Sequence, residues 1–165
     1  MSRRHGPFGI VFRFVSYDVR TERAEPRPLA AVRSRTTPDR LSSEIFRLLD
    51  MVWPVLRGQG IPTRHNVVIY HGEADGALTL TAGVEVLAAF TGDGDVQAAA
   101  TPAGEVATTA HFGEYSLLGG AYAALEQWCA ANGRRPAGVN WEVYGDWDED
   151  PAKVRTDVYF LLEPV

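Results

Sequence analysis

The sequence predicts an α+β fold in which two copies of one strand-helix-strand-strand unit are related by a pseudo-twofold axis. Residues 66–70 (Asn-Val-Val-Ile-Tyr) and 140–144 (Asn-Trp-Glu-Val-Tyr) are similar strand sequences that lie 74 positions apart. The same offset, without a gap, relates four pairs of identical residues: Pro28 and Pro102, Val32 and Val106, Pro62 and Pro136, and Val84 and Val158. A fixed period of this length indicates two supersecondary units that share a core. We therefore expect antiparallel sheets, two main helices and a central ligand groove between the copies.

The first copy, about residues 17–90, begins with two predicted extended segments and a helix. Segments 17–22 and 29–35 are separated by prolines, which remove ladder donors and enforce a bend. Thr37 followed by Pro38 is typical of a helix N-cap and first helical position. Apolar residues then recur at intervals of three and four and predict one buried helix side: Leu41, Ile45, Leu48, Leu49, Val52, Val55 and Leu56.

The end of this helix and the following hairpin are marked by glycine and proline. Pro54 is expected to kink the helix, and Gly58 and Gly60 to end it. Strands are predicted at 67–70 and 77–86, because the residues between them include an Asp-Gly pair that favours a tight turn.

The second copy, about residues 96–165, repeats this order after a glycine-rich linker at 91–95. We predict a strand at 105–112, a helix at about 115–131, and strands at 141–144 and 156–162. The apolar side of the helix consists of Tyr115, Leu118, Tyr122, Leu125, Trp128 and Cys129. An acidic loop, 146–151, separates the last two strands.

Composition restricts the classes of partner. The net charge of −5 would repel a phosphate backbone, and no stripe of Lys and Arg offsets it, so we expect no direct nucleic-acid binding. Cations are the expected partners. The sequence has no run of 18 apolar residues, so we expect no membrane span. The single cysteine, Cys129, fits a buried position in a reducing compartment, which favours a cytoplasmic location.

Residues 1–16 are predicted to be an N-terminal extension to a single domain over 17–165. Two arginines precede an apolar run, as in a signal peptide, but Arg13 interrupts it and no small-residue cleavage site follows. The alternation of Phe8, Ile10, Phe12 and Phe14 is compatible with an extra strand. No helix-turn-helix fits in these residues, so we expect no DNA-binding segment there.

The largest chemical difference between the copies lies inside the repeated strand, where Val68 of the first copy corresponds to Glu142 of the second. A carboxylate among apolar neighbours loses several kcal/mol of hydration unless a partner compensates. A buried acid within aromatic walls is suited to bulky organic cations, because charge gives attraction and ring faces give cation–π contact. A solvent-facing glutamate on an edge strand is the other interpretation.

Seven aromatic residues are sufficient to wall a pocket of drug size: Trp53, Tyr70, Tyr122, Trp141, Tyr144, Trp147 and Tyr159. Core packing is the alternative role for each, except for Trp147, which lies in the acidic loop and is expected to cover a pocket mouth. Strand alternation places Glu142 and Tyr144 on one face and Trp141 on the other. Tyr159 is expected to join Glu142 in lining the groove.

Other site chemistries have no support in the sequence. His65, His71 and His111 lack the short ligand spacings of metal sites, so we expect no metal. No Gly-x-Ser-x-Gly nucleophile elbow occurs, and the glycines form no phosphate-binding loop, so no cofactor is expected either.

Motifs of the second copy resemble the GyrI-like small-molecule-binding family. They are His-Phe-Gly-Glu-Tyr at 111–115, Leu-Gly-Gly-Ala-Tyr at 118–122, Asn-Gly at 132–133, Pro136, Trp-Glu-Val-Tyr at 141–144 and Thr-Asp-Val-Tyr at 156–159. The family includes effector-binding domains of bacterial multidrug-responsive regulators and stand-alone proteins. The resemblance covers about residues 17–165 and implies a groove that binds bulky, often cationic aromatic compounds, with Glu142 as the ligand-facing acid.

The resemblance also implies an enzymatic alternative. Some relatives hydrolyse cyclopropane-bearing alkylating natural products with carboxylate and aromatic residues of the same pocket. Relatives commonly carry an acid directly after the motif tyrosine, whereas this chain has Ser116, with Glu114 two residues upstream.

The leading hypothesis is a stand-alone protein that senses or sequesters bulky aromatic or lipophilic cations. The alternative is a hydrolase in which Glu142 activates water while Tyr144 or Tyr159 donates a proton to the leaving group. A third interpretation, implied by the family, is an interaction protein that binds a larger partner such as a topoisomerase.

Overall fold

The structure, a computed structural model, describes residues 16–165, so the predicted extension at 1–16 lies outside this part except for Ser16. Eight antiparallel strands form one sheet: β1 (Arg20–Ala24), β2 (Pro28–Thr36), β3 (Thr63–Ala74), β4 (Ala77–Val86), β5 (Gln97–Ala100), β6 (Gly104–Phe112), β7 (Pro136–Tyr144) and β8 (Arg155–Leu162). The main helices are α1 (Leu41–Gln59) and α2 (Gly119–Ala131). This architecture confirms the predicted α+β fold.

The strand order β1-β6-β8-β7-β3-β4-β2-β5 places the two copies side by side, with β3 and β7 paired at the centre. Each copy gives its first strand to the other, because β1 pairs with β6 and β5 pairs with β2. Val68 lies directly opposite Glu142 in the β3–β7 pairing. These residues are equivalent in the two copies, so the pair lies on the pseudo-twofold axis.

Both helices pack on the same face of the sheet. On α1, Leu48, Val52 and Leu56 are fully buried. On α2 the buried residues are Ala121, Leu125 and Cys129. On the opposite face the strands bury a second set of side chains, which includes Leu29, Ala31, Val67, Ile69, Trp141 and Tyr159.

The C-terminal end of α1 follows local sequence, whereas the starts of both helices differ from the predicted ones. Thr37 is extended before Pro38, but Pro38–Arg40 form a 3-10 turn and α1 begins only at Leu41. Gly60 ends α1 in the left-handed region with φ of 64°. Pro54 lies inside α1, which nevertheless continues to Gln59. The second helix begins at Gly119 rather than near 115, because Tyr115–Leu117 form a separate 3-10 turn. We refer to this turn as the Tyr115 turn.

In the described part of the chain, no helix combines the length and the apolar character that a membrane crossing requires.

The exchange of first strands is fixed by a pair of hydrogen bonds between equivalent residues. The Arg27 N–H donates to Thr101 Oγ1 at 2.8 Å, and the Thr101 N–H donates to the Arg27 carbonyl at 3.0 Å. Thr101 is buried and Arg27 is partly buried, so water compensates only in part for a hydrogen bond lost there.

We predict that Thr101→Val lowers the free energy of unfolding by about 1–3 kcal/mol, because it leaves the Arg27 N–H without its acceptor. The matched control is Thr21→Val, which makes the same chemical change on an exposed position of β1 and should alter stability by less than about 0.5 kcal/mol. Urea unfolding measures both. Equal stability of the two variants would contradict the role given to Thr101.

Candidate functional site

Glu142 lies on the helix-bearing face at the middle of the sheet. In the paired strands its neighbours are Val68 of β3 and Val158 of β8. Both valines are fully buried, and Glu142 itself is only 6% exposed. The carboxylate is therefore removed from water at the seam between the two copies.

Two tyrosines donate hydrogen bonds to this carboxylate. The Tyr122 hydroxyl, on α2, donates to Oε1 at 2.5 Å, and the Tyr144 hydroxyl donates to Oε2. Asn140 Nδ2 in turn donates to the Tyr122 oxygen at 3.1 Å. Among the described residues no salt bridge involves Glu142. Neutral donors alone thus hold the acid.

Burial and hydrogen bonding act on the pKa of Glu142 in opposite directions. Burial raises it, the hydrogen bonds from Tyr122 and Tyr144 lower it, and burial is the larger effect. Burial first, and then the negative charge of Glu142, raise the pKa of Tyr70, Tyr122 and Tyr144. These hydroxyls therefore stay protonated at neutral pH and available as donors.

A cleft of about 210 Å³ opens beside Tyr144. Its walls come from α1, β3, β7 and the Tyr115 turn: Ser42, Ile45, Phe46, Leu49, Asn66, Tyr115 and Tyr144. The Tyr115 ring meets the Tyr144 ring edge-on, with centroids 5.5 Å apart. Phe46 and Tyr115 are 70% and 53% exposed at the rim. Glu142 is not in the cleft wall, so Tyr144 separates the acid from the cleft.

The structure brings half of the predicted site residues together. Glu142, Tyr122, Tyr144 and Tyr70 form the buried cluster. Trp53 is near it, because its indole N–H donates to Asn66 Oδ1 at 3.2 Å and Asn66 lines the cleft.

Trp147 has a different environment. Its side chain lies in the loop between β7 and β8, is 79% exposed, and does not line the cleft.

Trp141 and Tyr159 lie on the opposite face of the sheet from Glu142. Their rings stack at 5.1 Å, nearly parallel, within the second core. The expectation that Tyr159 lines the groove with Glu142 is corrected by strand register. Tyr159 is paired with Trp141, whereas Glu142 is paired with Val158, and adjacent positions of a strand face opposite sides.

Several cleft residues were not anticipated as site residues from the sequence. Phe46 and Ser42 lie on α1 outside the predicted apolar stripe. A phenylalanine on the polar side of this helix is the feature of the sequence that could have indicated a binding surface. Tyr115 was assigned to the core side of α2, and its place in a separate turn is a tertiary effect. The remaining missed residues are Ile45, Leu49 and Asn66.

A larger hollow, about 1090 Å³, lies along α2 beside residues 16–19 and the end of β6. None of the eight predicted site residues lines it. Within residues 16–165, no group of three or more His, Cys, Asp or Glu side chains is placed to hold a metal ion.

A family model described as GyrI-like small molecule binding domain matches residues 17–163 of this chain. None of the curated proteins compared with the chain matches it.

Solved structures share the fold. The chain is similar to EcmrR in a complex with DNA, with a TM-score of 0.78 and 22% identity over 93% of this chain and 60% of that one. It is also similar to the isolated EcmrR C-terminal domain, with a TM-score of 0.73 and 21% identity over 92% of this chain and 100% of that one. The chain thus spans less than two thirds of the EcmrR chain in the DNA complex.

Two further solved structures share the fold at lower identity. One is a hydrolase from Listeria innocua, with a TM-score of 0.57 and 12% identity over 92% of this chain and 95% of that one. The other is SAV2435 bound to tetraphenylphosphonium, with a TM-score of 0.58 and 10% identity over 90% of this chain and 94% of that one. At these identities the similarity concerns the fold alone.

The raised pKa of Glu142 predicts a pH dependence of stability. The folded protein binds the Glu142 proton more tightly than the unfolded chain does. The stabilising contribution of this proton is therefore present at low pH and is lost as pH rises through the raised pKa. On acidification from neutral pH toward about pH 5, unfolding free energies should change in favour of the parent protein relative to Glu142→Gln. The opposite trend would indicate a lowered pKa.

Proposed function

Since this chain belongs to the family of GyrI-like small molecule binding domains, we propose that it binds bulky aromatic or lipophilic cations. The observation that carries the proposal is the buried Glu142 carboxylate, which has no basic partner in the described part of the chain. The neutral hydroxyls of Tyr122 and Tyr144 bring no positive charge to the site, so the ionised form of Glu142 is not neutralised by a basic group. In a poorly solvated site that charge favours a cation with little hydration of its own.

The aromatic surroundings support the same class of ligand. Tyr70, Tyr122 and Tyr144 surround the acid, and Tyr115 and Phe46 extend the apolar surface to the rim of the cleft. Ring faces attract organic cations and also bury apolar area. The net charge of −5 further favours cationic over anionic compounds. SAV2435, which shares the fold, has been solved with tetraphenylphosphonium, a cation of this type.

Ligand entry requires movement of Tyr144. The cleft of about 210 Å³ is smaller than the roughly 300–1,000 Å³ of pockets for drug-sized molecules. Tyr144 stands between the cleft and Glu142, and rotation of its side chain would join the two spaces. In this arrangement the ligand cation replaces the Tyr144 hydroxyl as a partner of the carboxylate, while its rings occupy the cleft. Sensing or sequestration of such compounds would both use this step.

We expect Glu142→Gln to weaken tetraphenylphosphonium binding at least about 10-fold, because the counter-charge is lost in a desolvated site. Glu149→Gln is the matched control, since it removes one charge from an exposed loop residue and should leave affinity within about twofold. Isothermal titration calorimetry at one salt concentration measures both. If Glu142→Gln binds as tightly as the parent, the counter-charge role is wrong.

A hydrolase of cyclopropane-bearing alkylating compounds is the second candidate. A carboxyl group with a raised pKa beside protonated tyrosines fits general acid–base work on a strained electrophile. Tyr159 is on the far face, so Tyr122 replaces it beside Tyr144 as the candidate proton donor. Ser116, in the position where relatives commonly carry an acid, hydrogen-bonds to Glu114 at 3.4 Å rather than to the cluster.

Turnover separates the two candidates. As a hydrolase, the protein should open many equivalents of a cyclopropane-containing alkylator, and Glu142→Gln should abolish product formation while Glu149→Gln does not. Mass spectrometry of the ring-opened product gives the count. Recovery of unchanged compound in a stoichiometric complex would contradict the hydrolase and agree with the binding protein.

A further inference from the structure

The two copies differ in the segment that joins the second strand to the helix. The offset of 74 relates Leu41, the first residue of α1, to Tyr115. In the second copy the corresponding first helical turn is separated from α2 and forms the Tyr115 turn. Leu41 packs against the core, whereas the Tyr115 ring contacts Tyr144 at the cleft. The altered turn thus supplies a wall of the ligand cleft.

His111 connects the Tyr115 turn to Tyr17, because one ring nitrogen contacts the residue before the turn and the other contacts the Tyr17 hydroxyl. The side chain is buried, with 2% exposure, at the end of β6. Its Nε2 lies 3.0 Å from the Glu114 carbonyl, and its Nδ1 lies 2.8 Å from the Tyr17 hydroxyl. A carbonyl only accepts, so Nε2 carries a proton and donates to Glu114, and in the neutral imidazole Nδ1 then accepts from the Tyr17 hydroxyl. The same Glu114 carbonyl accepts the Leu117 N–H at 3.0 Å, which closes the turn.

Close packing around Tyr17 and Gly113 fixes the same region. The Tyr17 and His111 rings stack with centroids 6.0 Å apart. A Cβ on Gly120 would lie 3.0 Å from the Tyr17 hydroxyl, so Tyr17 rests against the first turn of α2. Gly113 has φ of 138°, which favours glycine, and its N–H donates to the Val154 carbonyl at 2.9 Å.

The first copy does not repeat this arrangement. The residues equivalent to His111 and Gly120 are Thr37 and Phe46. Thr37 makes no side-chain capping hydrogen bond, and the 3-10 turn Pro38–Arg40 that follows it runs without a break into α1 at Leu41. The His111 contacts therefore occur in the copy whose turn borders the cleft, which is the copy that carries Glu142.

We infer that the Tyr17–His111–Glu114 hydrogen bonds form a latch that holds Tyr115 against Tyr144 and so determines which cations the cleft prefers. This inference rests on the proposed binding function. With the latch closed, the Tyr115 ring is available to an aryl group of the ligand at the cleft rim. Cations with aryl groups gain this contact, whereas compact alkyl cations that reach only Glu142 do not. His111 and Tyr17 are positioning residues that act through Tyr115.

Tyr17→Phe tests the latch with the smallest change, because it removes one hydroxyl and keeps the ring. Loss of one hydrogen bond that positions Tyr115 should weaken tetraphenylphosphonium binding about 3- to 10-fold. Tetraethylammonium binding should change by less than about twofold, since that cation has no aryl group. His111→Gln should show the same selectivity change, and thermal unfolding identifies any variant that fails to fold.

A double-mutant cycle separates positioning from general destabilisation. Tyr115→Ala should weaken tetraphenylphosphonium binding, and Tyr17→Phe added to it should weaken binding no further, because both changes remove one interaction. Additive effects would overturn the latch. So would an equal loss of affinity for tetraethylammonium.

Hydrogen exchange gives a measurement without ligand. In Tyr17→Phe the Leu117 amide should exchange faster than in the parent, while amides of the β3–β7 pairing keep their rates. An unchanged Leu117 rate would overturn the latch. Failure of the parent protein to bind tetraphenylphosphonium would instead overturn the proposed function, and the exchange rates then decide the latch alone.

Discussion

The structure is organised around one buried carboxylate with two tyrosine donors. Glu142 lies between Val68 and Val158, where an isolated charge would cost several kcal/mol of hydration. The hydroxyls of Tyr122 and Tyr144 offset part of that cost, since hydrogen bonds to a charged group are stronger than those between neutral groups. The compensation is incomplete, as the raised pKa of Glu142 indicates. Under the proposed function, the part of the cost that the tyrosines leave uncompensated is what a bound cation would offset.

Duplication makes such a site possible by creating a seam between two equivalent units. The centre of the sheet is the β3–β7 pairing, and each copy supplies one helix to the same face. The exchanged strands β1 and β5 join the two copies, because each of these strands pairs with a strand of the other copy. Tyr122 from α2 and the cleft wall from α1 therefore approach Glu142 from different copies. Side chains far apart in sequence meet on a rigid sheet without a long loop.

Period and strand alternation account for most of what the sequence predicted. The offset of 74 gave the duplication, and the Val68 to Glu142 difference identified the acid before its surroundings were known. Alternation placed Trp141 away from Glu142, but the face of Tyr159 depended on the register between β7 and β8, which a single strand does not contain. Likewise, the period of the apolar residues fitted a helix from 115, and the separate Tyr115 turn depends on the distant Tyr17 and His111. Local sequence patterns thus predicted the helices and strands. The residues that line the cleft depend in addition on cross-strand register and on long-range hydrogen bonds, which the patterns do not contain.

The position of Val68 and Glu142 on the symmetry axis has an evolutionary consequence. In an assembly of two identical chains with this architecture, both positions would carry the same residue, and a glutamate on the axis would face its own copy across the seam. Side chains directly opposite each other in antiparallel strands are about 4.5–5.5 Å apart between Cβ atoms, and like charges there repel. Covalent linkage of the halves releases each position to change independently. A solitary acid at the centre is accordingly a property that a fused chain can acquire and a strict homodimer cannot.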